Sequence, residues 1–304
     1  MISEKVTVGA GSEYPLNGML TLPDGDNKKL PAVVTVHGSG PSDMDERVMK
    51  LTPFKDLAEG LAQRGVATLR YDKRTFAYKK KLAKTSITVK EETIEDALRA
   101  VELLKNDPRI DSNRIFLLGH SMGAMLAPRI DAEGADVKGL ILMAGTPYRL
   151  EEVMVKQLDR AGGKSPLGAV VKLENKIFSK KFNGLYEMSD EAAKKKKFAG
   201  SLTLYYFKEM GRKTAAEYLA ESNKPVLIMQ GQRDFQVLAE DDFKAFQTLL
   251  EERENTVFRL YPGLNHLFVT AISDNILKAT KEYGAERHIG DDVIGDIAQF
   301  VLTE

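Results

Sequence analysis

Ser121 stands at the centre of Gly119-His120-Ser121-Met122-Gly123, directly after the apolar run Ile115 to Leu118 and ahead of a helix-prone segment. A hydroxyl on a sharp strand-to-helix turn needs small neighbours two positions to either side, because the turn brings strand and helix backbones together. The turn lifts the hydroxyl clear of the sheet, and the new helix aims its free N–H groups at the same point. The chemistry this suits is nucleophilic attack on a carbonyl, with Ser121 as the nucleophile. A glycine-bounded turn whose serine merely caps the helix is the bland alternative.

A serine hydroxyl needs a base, and histidine has the pKa for that work. The chain has only four histidines. His37 and His120 lie inside glycine motifs at strand ends, where packing roles are expected. His288 lies in the charged stretch Glu286-Arg287-His288 and reads as a surface residue. His266 follows the strand-like run Thr256 to Tyr261 through a Pro262-Gly263 turn. The carboxyl ends of parallel strands share one sheet edge, so His266 can meet Ser121 and is the expected base. The base in turn needs a carboxylate to set its tautomer. Asp234 ends the run that begins at Val226 and is preferred over Asp241 and Asp242, which read as the start of the next helix. The chain order Ser, Asp, His is that of α/β-hydrolases.

Two N–H donors should hold the oxyanion of a tetrahedral intermediate. One is expected from Met122, the residue after the nucleophile, and one from Ser39 in His37-Gly38-Ser39-Gly40-Pro41, which follows the strand Ala32 to Val36. A dinucleotide-binding reading of Gly38-x-Gly40 fails at Asp43, where a third glycine would be required. Asp43, Asp45, Lys73 and Arg74 follow two strands expected to be neighbours, so ion pairs among them could pin the oxyanion loop.

The elements that must position these residues alternate. Strands are expected at Lys5 to Val8, Gly18 to Leu22, Ala32 to Val36, Val66 to Tyr71, Ile115 to Leu118, Gly139 to Met143, Val226 to Met229 and Thr256 to Tyr261. Pro23 to Asn27 reads as a turn. Helical spacing fills Leu51 to Arg64, Thr93 to Lys105, a stretch from about Ala124, Asp241 to Glu252, and Asp292 to Val301. Apolar strands alternating with helices imply a mostly parallel sheet covered on both faces. The alternation stops after Gly145-Thr146-Pro147 and resumes at Pro225. An α/β core over residues 1–147 and 223–304 is therefore expected, with residues 148–222 as a purely helical lid. In the lid, Val153, Met154 and Leu158, then Val170, Leu173 and Ile177, then Leu202, Tyr206 and Met210 form faces expected to be buried. Lys194 to Lys197 reads as a solvated helix face.

With 304 residues the chain can bury a large core. Its formal net charge of zero gives no electrostatic case for nucleic acid. Cysteine is absent, which excludes thiol catalysis, disulfides and cysteine-ligated metal. No apolar run approaches a membrane span, and Met1 to Val6 has no apolar signal core, so a cytoplasmic protein is expected.

Taken together, these segments resemble the α/β-hydrolase superfamily over nearly the whole chain, and within it bacterial carboxylesterases of the dienelactone-hydrolase and acyl-peptidase branches. The resemblance is carried by His37-Gly38-Ser39-Gly40-Pro41 with Asp43, by Arg70-Tyr71-Asp72-Lys73-Arg74, by Gly119 to Gly123, by Gln230-Gly231-Gln232-Arg233-Asp234 and by Asn265-His266. Relatives often carry Asp-Arg-Asp after the proline and glycines after Lys-Arg. Here Met44 separates Asp43 from Asp45, and Thr75-Phe76-Ala77-Tyr78 follows Arg74. The resemblance implies an eight-stranded α/β-hydrolase fold and a serine carboxylesterase for short- to medium-chain acyl esters, with no metal or organic cofactor. Its partner is then a small-molecule ester, and the sequence is compatible with a homodimer. The same triad could serve a thioesterase, amidase or acyl-peptidase. A non-catalytic binding protein would show a broken triad, and a haloalkane or epoxide hydrolase would need aspartate at position 121.

Overall fold

The computed structural model describes residues 1–25, 29–164, 168–273 and 275–304. Among these residues ten strands form in chain order. They are β1 (Ile2–Val8), β2 (Leu16–Leu22), β3 (Leu30–Val36), β4 (Ala67–Tyr71), β5 (Ile110–His120), β6 (Gly139–Met143), β7 (Lys197–Ala199), β8 (Leu202–Thr203), β9 (Val226–Gly231) and β10 (Thr256–Tyr261). Eight of them make one sheet in the order β1-β2-β4-β3-β5-β6-β9-β10. The β1–β2 and β2–β4 pairs are antiparallel, and the remaining pairs are parallel. The expected turn at 23–27 runs into Asp26 and Asn27, which lie outside the described residues.

The central strands are apolar on both faces, and alternation sends their side chains to two separate cores. Val34, Val36, Leu117, Leu140 and Leu142 face one core. Val33, Phe116, Leu118, Ile141 and Met143 face the other. Helices α1 (Pro53–Ala62) and, at the end of the chain, Asp291–Thr303 cover the second face with Phe54, Leu57, Leu61, Ile297 and Val301. The first face is covered by α4 (Glu95–Lys105) and α5 (Met122–Ile130), which follow the short helices α2 (Arg74–Ala77) and α3 (Lys79–Leu82). A single π-type turn, Lys90–Ile94, leads into α4, a distortion often found at functional sites.

Between β6 and β9 the chain forms α6 (Leu150–Lys164), α7 (Gly168–Lys180), α8 (Asp190–Lys195), α9 (Leu204–Met210) and α10 (Ala215–Ala220). Three expectations fail here. The segment is not purely helical, because β7 and β8 pair as an antiparallel hairpin. Strand β7 begins at Lys197, so the lysine run is split between the end of α8 and the hairpin. The face of α7 bearing Val170, Leu173 and Ile177 is not buried, with exposures of 52%, 59% and 58%. The helix is turned so that Asn175 and Phe178 point inward instead. Asn175 Nδ2 donates to the Val155 carbonyl at 3.1 Å, and Phe178 joins an aromatic cluster with Phe182 and Phe198. Edge-to-face ring contacts and the Asn175 hydrogen bond go with this phase in place of the aliphatic stripe. Among the described residues no helix is long and apolar enough to cross a membrane.

Candidate active site

The turn at Ser121 has the strain its motif implies. Ser121 adopts φ 53° and ψ −117°, a conformation rare for a side-chain-bearing residue. The flanking glycines are required by contact. A Cβ on Gly119 would strike the Gly123 carbonyl, and a Cβ on Gly123 would strike the Val36 carbonyl. Strand β5, helix α5 and the end of β3 therefore meet closer than any side chain permits, and Ser121 is held at their junction.

Asp234 and His266 come together as expected. His266 Nδ1 lies 2.6 Å from Asp234 Oδ2, and both residues are buried. The aspartate is fixed from both sides. Its Oδ1 accepts the Gln236 and Val237 backbone N–H groups at 2.7 and 3.0 Å, and its Oδ2 also accepts Gln230 Nε2 at 3.0 Å. The rivals serve elsewhere. Asp242 accepts from the Thr146 hydroxyl at 2.7 Å and the Leu238 N–H at 2.8 Å, tying the end of β6 to the loop after β9. Asp241 pairs with Arg160 at 3.5 Å. His288 is exposed beside Asp56, which raises its pKa through a hydrogen bond and charge.

Two cavities meet at Ser121. One, about 470 Å³, is lined by Ser39, Ser121 and Met122 and by apolar side chains including Met125, Val153, Leu202 and Phe207. The other, about 260 Å³, holds His266 with His120, Glu46 and Tyr283. Ser39, Pro41, Ser121 and Gln236 line both. Leu150, Val153, Met154, Phe198, Leu202, Tyr206 and Phe207 bring the segment between β6 and β9 into the larger cavity, whereas Met210 lines a separate small one. The Ser39 N–H has no hydrogen-bond acceptor in the protein among the described residues. Met122 opens α5, where first-turn N–H groups are unpaired by construction.

The family model described as serine aminopeptidase, S33, matches residues 31–270. The chain belongs to this family. Among its relatives is Esterase EstD of Thermotoga maritima, 37% identical over 288 residues, which are 94% of this chain and 65% of that protein. The chain thus spans somewhat less than two thirds of that relative's length. Solved structures share the α/β-hydrolase fold at low identity. Est1E from Butyrivibrio proteoclasticus has a TM-score of 0.60 at 18% identity, covering 99% of both chains. A dienelactone hydrolase from Anabaena variabilis has a TM-score of 0.56 at 17% identity, covering 99% of this chain and 97% of its own.

In this S33 family member the ion pairs expected among Asp43, Asp45, Lys73 and Arg74 do not form. Asp43 pairs with Arg47, Asp45 with Arg70, Lys73 with Glu92 and Arg74 with Asp96. Asp43 and Asp45 lie in the loop beyond the strand ends, while Lys73 and Arg74 turn inward to the π-type turn and α4. Three further residues surround the site: Glu46, not singled out from sequence, His120, for which a packing role was expected, and Asn265, noted only as part of a motif. Glu46 Oε1 accepts the Gly38 N–H at 2.7 Å, and its Oε2 stands 3.0 Å from His120 Nδ1. His120 Nε2 donates to the His266 carbonyl at 2.9 Å, and its ring lies 4.8 Å from that of His266. Asn265, fully buried, accepts the Leu267 and Val269 N–H groups and so shapes the loop that carries His266. Only the adjacency of Asn265 to a histidine, and of His120 to the serine, offered a signal.

The two motif histidines titrate in opposite directions. Burial holds His37 down to about 4, against the pull of Glu46, while Lys73 adds to the depression. At His120 burial is again the largest influence and lowers the pKa, but the Glu46 charge and hydrogen bond, the His266 carbonyl and the Asp234 charge together outweigh it, and the net shift is upward. His37 is neutral when folded and takes a proton when unfolded between pH 4 and its ordinary 6.5, so it contributes stability above that window that is lost as pH falls through it. The full effect is roughly 3 kcal/mol. His120 acts oppositely, contributing below its ordinary value and losing that contribution as pH rises above it. Urea unfolding from pH 4 to 7 should show a shallower slope in His37→Asn than in the unsubstituted protein. Parallel slopes would refute the assignment.

Proposed function

We propose that the chain is a serine carboxylesterase for short- to medium-chain acyl esters. Ser121 is the nucleophile, His266 the base, Asp234 its orienting carboxylate, and the Ser39 and Met122 N–H groups the oxyanion donors. The observation that carries this reading is the place of Ser121, strained at its turn and shared by an apolar cavity and the cleft that holds His266. The name of the EstD relative supports the ester chemistry. His266 takes the Ser121 proton through Nε2 as Oγ attacks the ester carbonyl. The carbonyl oxygen gains negative charge between the two N–H donors. His266 then returns the proton to the departing alcohol, leaving an acyl-serine. Water, deprotonated by the same histidine, releases the acid and restores the serine. The acyl chain enters the larger cavity, and the alcohol leaves beside His266.

The family's aminopeptidase description prompts a second reading, and one observation weighs against it. Recognition of a substrate ammonium needs a free carboxylate. Glu92 is the one carboxylate among the described residues lining the larger cavity, and it is already engaged by Lys73 at 2.8 Å and by the Tyr206 hydroxyl at 2.6 Å. Acyl esters should therefore be turned over far faster than aminoacyl anilides.

Residues 148–222 then serve as a lid that sets chain-length preference. Each buried methylene contributes up to ~0.8 kcal/mol until the acyl chain reaches the cavity's end. Along a p-nitrophenyl acyl series, kcat/KM should peak at a short to medium length. Leu202→Ala and Met154→Ala should move the peak to longer chains, and Leu173→Ala, on the exposed face of α7, should leave it in place. One profile shared by all four proteins would leave the segment without a role in specificity.

A further inference from the structure

Lys73 is only 2% exposed, an unusual place for an ammonium. It follows β4, and its Nζ donates to the Gly38 carbonyl at 2.8 Å while standing 2.8 Å from Glu92 Oε1. Glu92 sits in the π-type turn, and its other oxygen accepts the hydroxyl of Tyr206, which reaches in from α9. The phenol is the donor, since burial and the Glu92 charge push its pKa well above the ordinary value. Tyr206 also lies 3.5 Å from the Met122 sulfur.

A structural ion pair would need only Glu92. The contact with Gly38 is different in kind, because the Gly38 carbonyl and the Ser39 N–H belong to one peptide unit. Among the described residues no peptide bond is cis. In a trans peptide the C=O and N–H point in opposite directions, so anchoring the oxygen on one side aims the hydrogen to the other. A side chain at position 38 would crowd the serine, since a Cβ there would stand 3.2 Å from Ser121 Cβ. The loop is held from behind instead, its N–H by Glu46 and its C=O by Lys73.

We propose that Lys73 is a positioning residue for the oxyanion: its ammonium fixes and polarises the Gly38–Ser39 peptide, so that the Ser39 N–H becomes a directed and stronger donor. Glu92 and the lid residue Tyr206 hold the ammonium in place. The proposal rests on the acyl-transfer reading of Ser121. It assigns Lys73 an effect on the charged intermediate rather than on substrate binding, because the ground-state carbonyl carries little of the charge that the donor meets later.

Lys73→Met alone leaves Glu92 buried and unpaired and could unfold the protein. The test therefore uses Lys73→Met/Glu92→Gln, which removes both charges and keeps an acceptor for Tyr206, beside Glu92→Gln, in which the ammonium keeps two oxygen acceptors, the Gly38 carbonyl and the glutamine amide oxygen. The readouts are kcat and KM on p-nitrophenyl butyrate, melting temperature, and the inhibition constant of an alkyl trifluoromethyl ketone, which adds to serine and forms an oxyanion. The double variant should melt within a few degrees of Glu92→Gln, with kcat lowered about 10²-fold, KM changed less than threefold, and ketone affinity weakened by the same factor as kcat. Glu92→Gln should lose less than tenfold. A double variant as fast as Glu92→Gln, or one that loses turnover without losing ketone affinity, would overturn the proposal. Retention of hydrolysis by Ser121→Ala in the same assay would instead overturn the acyl-transfer reading itself.

Discussion

Ser121→Ala should lower kcat for ester hydrolysis by about 10⁴-fold or more while leaving the melting temperature nearly unchanged. The two halves of this expectation have separate causes. Alanine keeps the Cβ, and the glycines that let β5, α5 and β3 approach are untouched, so the turn survives. What disappears is the hydroxyl proposed to form the acyl-enzyme. A fluorophosphonate should label Ser121 and no other serine, because activation requires the base at His266 as well as the turn. Ser39 and Ser42 line the same cleft and serve as internal controls, since neither lies on a strained strand-to-helix turn. Peptide mapping that places the label on either of them would remove Ser121 from its role.

Asp234→Asn should lower kcat by roughly 10³–10⁴-fold. The hydrogen bonds of the aspartate dictate why. Asp234 Oδ1 accepts two backbone N–H groups, so in asparagine that position must remain the oxygen. The NH₂ is then forced to the place of Oδ2, facing His266 Nδ1 and the Gln230 amide donor. His266 would have to accept at Nδ1 and carry its hydrogen on Nε2, where the serine proton must go. Asp241→Asn should leave kcat within a few-fold, since its carboxylate pairs with Arg160 and not with His266. Asp242→Asn should act on stability more than on turnover, because its carboxylate joins Thr146 to Leu238. Steady-state kinetics of the three variants checks this. Near-native turnover in Asp234→Asn, with either of the others inactive, would move the orienting carboxylate elsewhere.

The sequence by itself determined the parts of this protein whose causes are local. Strands β6 and β10 match their expected ranges because each is a short apolar or β-branched run between turn residues. The turn at Ser121 was legible because its sterics involve residues two positions away, and Gly119 and Gly123 are the only residue type that fits. The order Ser121, Asp234, His266 followed from three loops at the ends of parallel strands. Tertiary structure decided what depends on neighbours far along the chain. The phase of α7 goes with aromatic partners at Phe182 and Phe198, which its own aliphatic spacing does not encode. The β7–β8 hairpin is too short to carry a period, and pairing alone defines it. Above all, the frame behind the oxyanion loop joins Glu46, Lys73, Glu92 and Tyr206 from four separate segments. The sequence places Lys73 near the loop after β3 and Tyr206 on a face expected to be buried, but nothing in it pairs them with Glu46 and Glu92. They become a buried network only because the sheet order places β4 beside β3, which sets Lys73 against Gly38, where the ammonium finds a carboxylate and a carbonyl in place of water.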